Sequence, residues 1–223
     1  MTKQSTVPFR PLRRRDRAIE DKRWIAAMLT RCPVGTLATL GTDGPSLNPN
    51  LFVVDPSAPA IYLHTAHQGQ TRSNVEHDSR VAFSVHEMGR LLPAAAAVNF
   101  SAEFASVVVI GTATIIEDSN EARHALELLM RKYAPQFEAG RDYQGIADHD
   151  LARTSVFRID IESWTGKGKA VDATDAYSYS PDASPDPHDS ATRGSSEPAT
   201  AMTSSSRDAF WAGIRDRDRP SDS

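Results

Sequence analysis

The sequence predicts a mainly β protein, an antiparallel barrel with flanking helices, on three observations. Six short runs have the β-branched and aromatic composition of strands, tight-turn signals punctuate them, and helices do not alternate with them as crossovers would in a doubly wound sheet. With 223 residues, of which 39% are hydrophobic, the chain has material for one medium domain and some additional sequence.

The elements are justified in order along the chain. Asp21 is placed to cap a helix running to Arg31, whose apolar positions Ile25, Met28 and Leu29 fall on one side and which Pro33 helps to stop. The period then changes to two. Residues 34–40 and 46–54 read as strands joined by GTDGP, where Asp43-Gly44 signals a tight turn, so the pair forms a hairpin. In the second of these strands Leu47, Pro49, Leu51 and Val53 alternate with Ser46, Asn48, Asn50 and Phe52, giving one apolar and one largely polar face. Pro49 has no N–H for a sheet ladder, which points to an edge, a bulge or a ligand-facing break. Residues 60–65, 80–87, 105–116 and 155–161 are the third to sixth strands. Between the last two, Asp118 and Glu121 form an N-terminal signature ahead of the stripe Ala122, Ala125, Leu126, Leu129 and Tyr133, which describes a surface helix packed on the sheet.

Composition changes near Ala173, after which Ser, Pro, Asp and Thr dominate and little can be buried. The expected organisation is therefore a folded domain over residues 1–172 and a disordered tail over 173–223. Only the segment 208–217, with Phe210, Trp211 and Ile214, interrupts the tail, and it reads either as a short docking helix or as an unstructured end carrying a few aromatics.

Charge and composition narrow the function. A formal net charge of -4 supplies no broad positive field for nucleic acid, and the single dense basic run is RPLRRRDR. Arg13, Arg14 and Arg15 are not followed by the apolar stretch of an export signal, and no apolar run approaches the ~20 residues of a membrane span. Cys32 is the single cysteine, so no internal disulfide is available. A cytoplasmic location, with neither nucleic acid nor membrane as partner, is the expectation. No dinucleotide fingerprint, phosphate-loop lysine or nucleophile elbow is present. His64 and His67 could join His77 or His86 around a metal, but the spacing of ligand types does not support it, and no metal is expected.

The stretch IYLHTAHQGQTRSN carries more chemistry. His64 and Thr65 end a strand, Gly69 permits a bend, and Thr71, Arg72, Ser73 and Asn74 open a short helical segment. Hydroxyls, a guanidinium and the free amides of a helix N-terminus suit a phosphate, while the same residues equally suit a polar loop that satisfies its own backbone.

In their order, RRRDRAIED, GTLATLGTDGPSLNPNLFVV, IYLHTAHQGQT, SVVVIGTA and SWTGK resemble the FMN-binding split-barrel family of the pyridoxamine 5'-phosphate oxidases. Within it the chain looks most similar to the nitroimidazole-resistance, or nitroreductase-like, branch, over roughly residues 13 to 170. The resemblance implies a six-stranded antiparallel split β-barrel that forms a homodimer, with FMN in clefts between the subunits. It implies that Pro49, Asn50, Leu51, Phe52, Val53 and Val54 run beside the flavin ring, that His64 and Thr65 lie near its pyrimidine side and ribityl chain, and that Thr71 and Arg72 meet its phosphate. It further implies that Ser106 sits where the family's oxidases usually have a flavin-contacting glutamine, and that Trp164 and Lys167 close the cleft. Two departures stand out. Thr71 sits where the family usually has lysine, and Arg72 could supply the charge from the next position; and residues 88–104 form an Ala-rich insertion that either covers the cleft or lengthens a surface loop.

The function implied is an FMN-dependent oxidoreductase acting on a small aromatic or nitro-bearing molecule. His64 is the candidate catalytic residue, as proton donor or substrate contact, with a purely orienting role as its alternative. The competing classes are a non-enzymatic flavin- or haem-binding protein and a structural dimer that has lost its ligand, and deazaflavin or haem are the alternative cofactors to FMN.

Overall fold

The computed structural model describes residues 13–171; the predicted tail, including the 208–217 segment, lies outside the described residues. Along the chain run β1 (Ala18–Ile19), α1 (Lys22–Arg31), β2 (Gly35–Gly41), β3 (Gly44–Asn50), β4 (Phe52–Val54), β5 (Ala60–Ala66) and α2 (Gln70–His77). There follow β6 (Arg80–Leu92), β7 (Ser101–Ile115), α3 (Ser119–Tyr133), α4 (Asp148–Leu151) and β8 (Thr154–Lys169). The strand order is β3-β2-β6-β7-β8-β5-β4, with β1 paired to β8 off this path. Since β3 and β4 are one segment interrupted only at Leu51, the two ends of the order belong to the same piece of chain, and the sheet closes on itself. With that segment counted once, six strands carry the barrel, as expected for the split-barrel class; the two-residue β1 and the short α4 were not legible in the sequence.

The described residues form two compact units, and β6, β7 and β8 contribute to both. The first contains Glu20–Val85 and Val107–Thr165. Here Asp21 caps α1 by accepting from the amides of Arg23 (2.8 Å) and Trp24 (3.4 Å), and the helix buries Ile25, Met28 and Leu29, the stripe read from the sequence. Period-two alternation puts Leu37, Ile61, Leu63, Phe83, Phe157 and Ile159 into the core. Phe52 meets Phe83 edge-on at 4.8 Å between ring centroids. Gly35 is required beneath them, because a Cβ there would lie 2.1 Å from Phe83 Cζ.

The helix α3 covers one face of this unit. Asp118 accepts from the Glu121 amide at 2.8 Å, and Ala122, Ala125, Leu128 and Leu129 pack on Val53, Tyr62 and Val156. Leu128, which the predicted stripe omitted, is buried, whereas Leu126 is only partly so. The packing also corrects the reading of Val53 as part of an open apolar face: α3 buries it, and the exposed apolar positions of the segment are Leu47, Pro49 and Leu51.

The second unit contains Arg13–Ile19, His86–Ser106 and, among the described residues, 166–171. Of the expected insertion at residues 88–104, only 93–100 lie outside the strands, most of them exposed. The rest extends β6 to Leu92 and starts β7 at Ser101, making a long hairpin arm turned through a single 3-10 turn at Ala97–Asn99. β-compatible residues on both sides of the alanines allowed the ladder to continue. Inside the unit the Glu103 carboxylate, 1% exposed, accepts from Arg90 Nε (2.9 Å) and Nη2 (2.7 Å) and from the amides of Arg90 (3.2 Å) and Val171 (3.1 Å). Burial acts to raise the carboxyl pKa, but the hydrogen bonds and charge of Arg90 and the Val171 amide outweigh it and lower the pKa below the usual range.

Candidate functional site

The polar face of β3 is the starting point. Its alternation leaves Pro45, Leu47 and Pro49 outward and turns Ser46, Asn48 and Asn50 the other way. On the near side β3 pairs with β2 from Gly35↔Asn50 to Gly41↔Gly44; no strand pairs with its far side among the described residues, so Pro49 stands on an edge that needs no N–H from it.

The helix α2 is seated beside this face. Gly69 precedes it at φ 155°, a conformation that favours glycine, and its first turn holds no acidic residue. Thr71 accepts at 2.8 Å from the Asn48 side-chain amide, and Ser46 donates to Gln70 Oε1 at 3.3 Å. On the next turn the buried Asn74 donates to Thr39 Oγ1 at 2.9 Å. The approach is so close that a Cβ on Gly41 would lie 2.0 Å from Asn74 Oδ1.

A row of three polar side chains results, spaced by roughly 7 Å, two residues of strand rise. Ser46 and Asn48 are satisfied by α2, but the third is not: the side-chain nitrogen of Asn50 is shielded from solvent and has no hydrogen-bond partner among the described residues. An unmet buried donor is costly in a protein interior. At one end of this row are therefore the open N-terminus of a helix and a hydroxyl, and at the other a donor awaiting an acceptor.

The predicted site residues fall into three groups. Pro49, Asn50 and Leu51 form the break and its approach, with Pro49 and Leu51 exposed; Phe52 and Val53 turn into the protein interior, and Val54 is half-buried. Thr71 is buried at the start of α2, and because its oxygen accepts from Asn48, its own hydroxyl proton remains to be donated. Arg72 uses part of its guanidinium within the protein: Nε donates to Glu76 at 2.8 Å, and Nη1 donates to the buried Ser155 hydroxyl at 3.0 Å, which in turn donates to the His67 carbonyl at 3.2 Å. His64 and Thr65 occupy the end of β5, with His64 open to solvent and Thr65 half-buried. Despite that exposure, the protein around His64 displaces enough water to lower its pKa, which favours the neutral ring. Trp164 is half-buried on β8 in the first unit, while Ser106 on β7 and Lys167 on β8 belong to the second, Lys167 opposite Ala18.

Sequence reasoning passed over Asn48, Gln70 and Thr39 as site builders and gave Asn74 no partner. Ser46 and Asn48 were visible on the polar face of the strand, and the three-residue spacing of Thr71 and Asn74 puts both on one helical face; neither signal named the partner across space. Among the described residues no three His, Cys, Asp or Glu side chains are grouped to hold a metal ion, and no helix is long and apolar enough to cross a membrane.

Closed strand order, interrupted strand and flanking helix define a split-barrel protein, and the chain belongs to the pyridoxamine 5'-phosphate oxidase family, whose model matches residues 21–168. No curated protein is matched. Among solved structures the chain is similar to a candidate 5-nitroimidazole antibiotic resistance protein from Bacteroides thetaiotaomicron, at 24% identity and TM-score 0.57, covering 68% of this chain and 86% of that one. It is also similar to a flavocytochrome from Azotobacter vinelandii, at 20% identity and TM-score 0.63, covering 72% of each chain. An FAD- and haem-binding protein from Mycobacterium smegmatis matches at 18% identity and TM-score 0.61, covering 89% of this chain and 97% of that one. At these identities the structures speak for the fold.

Proposed function

We propose that the protein is an FMN-dependent oxidoreductase that acts, as a homodimer in the cytoplasm, on a small aromatic or nitro-bearing molecule. The observation that carries the reading is the unmet buried donor of Asn50 on the strand face that α2 adjoins. Asn50 would donate to an acceptor on the heterocycle, and the first-turn amides of α2, the Thr71 hydroxyl and the remaining Arg72 donors would hold the phosphate. These donors fit a phosphorylated flavin, which when bound supplies the redox chemistry. Pro49 and Leu51 flank the ring edge, and the neutral His64 ring accepts or passes a proton at a ring nitrogen near pH 7. Trp164, in the same unit, takes the role that the family pattern gives its position. The exposed apolar side chains Leu47 and Leu51 beside Pro49 supply a face for the second subunit.

The test is an absorbance spectrum of purified protein, titration with FMN, and turnover with a reduced nicotinamide. A flavin spectrum with turnover supports the enzyme; a Soret band, or a flavin without turnover, replaces it with a binding protein. Arg72→Ala is expected to weaken FMN by roughly 1.5 to 3 kcal/mol, on the order of tenfold to a hundredfold. Because Arg72 also braces Ser155, riboflavin, which lacks the phosphate, is the control. Equal losses for both flavins, or none for FMN, would remove Arg72 from the phosphate site.

A further inference from the structure

The segment 44–54 changes character at Leu51, between the end of β3 and the start of β4, and the residue after the break is held by a group from far along the chain. The phenolic oxygen of Tyr133, the last residue of α3, accepts from the backbone N–H of Phe52 at 2.9 Å. The same oxygen lies 2.8 Å from the Phe52 carbonyl and 2.7 Å from the Pro33 carbonyl, and donates its one proton to either. One side chain therefore accepts from the Phe52 amide and gives its proton either to the Phe52 carbonyl or to the segment that follows α1. Lys132 reinforces the grip: its ammonium donates to the Cys32 carbonyl at 2.9 Å and stands 3.8 Å above the Phe52 ring. Tyr62, the other tyrosine bonded to or from α3, is engaged elsewhere, donating to Glu121 Oε1 at 3.0 Å.

We infer that the C-terminal turn of α3 is a latch that sets the strand break at Leu51, with Tyr133 as a positioning residue for the ligand-facing residues Pro49, Asn50 and Leu51. The inference rests on the flavin reading above for the identity of the ligand, though not for the latch itself. A strand that continued straight through Leu51 would stay in one ladder. The break lets β3 pair with β2 while β4 pairs with β5, and it fixes where the unmet donor of Asn50 ends up. Without the hydroxyl, the Phe52 amide loses its acceptor and the break gains freedom, so the ordering of Asn50 falls to the ligand.

Tyr133→Phe keeps the ring and removes the hydroxyl; Tyr62→Phe removes a comparably placed hydroxyl that does not touch the break. Amide exchange in the ligand-free proteins should be about tenfold or more faster at Phe52 in Tyr133→Phe and unchanged there in Tyr62→Phe. In fluorescence titrations FMN should bind Tyr133→Phe roughly threefold to tenfold more weakly, with a shifted visible spectrum of the bound flavin, while Tyr62→Phe binds as wild type does. Unchanged exchange at Phe52 overturns the latch. Equal effects of the two substitutions on FMN affinity and spectrum overturn the positioning role, since both lose a hydroxyl bonded at α3. If the wild type takes up no flavin, the flavin reading fails instead, and exchange at Phe52 upholds or overturns the latch by the same comparison.

Discussion

Raising the pH from 7 to 9.5 should stabilise this protein through Lys132. Its ammonium is held against the Cys32 carbonyl and the Phe52 ring, with no carboxylate partner among the described residues. Burial is the dominant influence and brings the amine pKa from an ordinary 10.5 down to about 8. A base whose pKa is lowered by folding releases its proton in the native state while the unfolded chain still holds one, so stability rises with pH between the two values. For pKa values of about 8 and about 10.5, the gain from pH 7 to 9.5 integrates to about 2 kcal/mol. Water reaching the partly exposed amine reduces that to roughly 1 kcal/mol. The window ends below pH 10, because Tyr62 is pushed up to about 12 by burial and by its Glu121 partner and Tyr133 is raised by burial; stability from such acids is present below their unfolded pKa and is lost above it. Urea unfolding of wild type and Lys132→Met at both pH values isolates the residue. The stability of wild type relative to the variant should increase by about 1 to 2 kcal/mol at the higher pH, with unchanged m-values. A difference that stays constant or shrinks would show that the carbonyl and the aromatic face stabilise the cation enough to cancel its desolvation, which would refute the reasoning.

Two further outcomes follow from other parts of the molecule. Glu103→Ala takes the carboxylate from Arg90 and the Val171 amide and should cost about 3 kcal/mol, at the lower end for a broken buried pair because Arg90 retains access to water. That corresponds to a melting temperature lower by about 6 to 12 °C, and a loss under about 1 kcal/mol would count against it. As the Glu103 pKa is lowered by folding, its contribution is present above its unfolded value and is lost as the pH falls through the folded one, so the wild type and Glu103→Ala should converge in acid. On β3, Leu47 is 71% exposed and Leu51 48%, and Leu47→Asp is expected to convert a dimer into a monomer in sedimentation at micromolar concentration; a wild type that is already monomeric would refute the dimer.

Much of the fold was legible along the chain because it is specified by local periodicity. The α1 stripe of Ile25, Met28 and Leu29, the Asp21 and Asp118 caps, and the hairpin around Gly44 depend on neighbours within a few residues, and each appears where its pattern places it. The order of motifs also identified the family and its split barrel. The outward apolar face of β3 was legible as an alternation, but alternation gives two faces without saying which one is covered: α3 buries Val53 and leaves Leu51 open. The same limit applied to residues 88–104, where the β-compatible residues on either side join β6 and β7 while the alanines stay outside both strands. The site was decided by long-range contacts. Arg72 was read as a phosphate ligand from its place after Gly69, but its partner Ser155, 83 residues away, could not be read there, nor could Tyr133, 81 residues from the Phe52 amide it accepts from. Such partners are invisible in the sequence because hydrogen-bond geometry is fixed only when tertiary packing brings the two segments within about 3 Å, and no local period encodes which segments will meet.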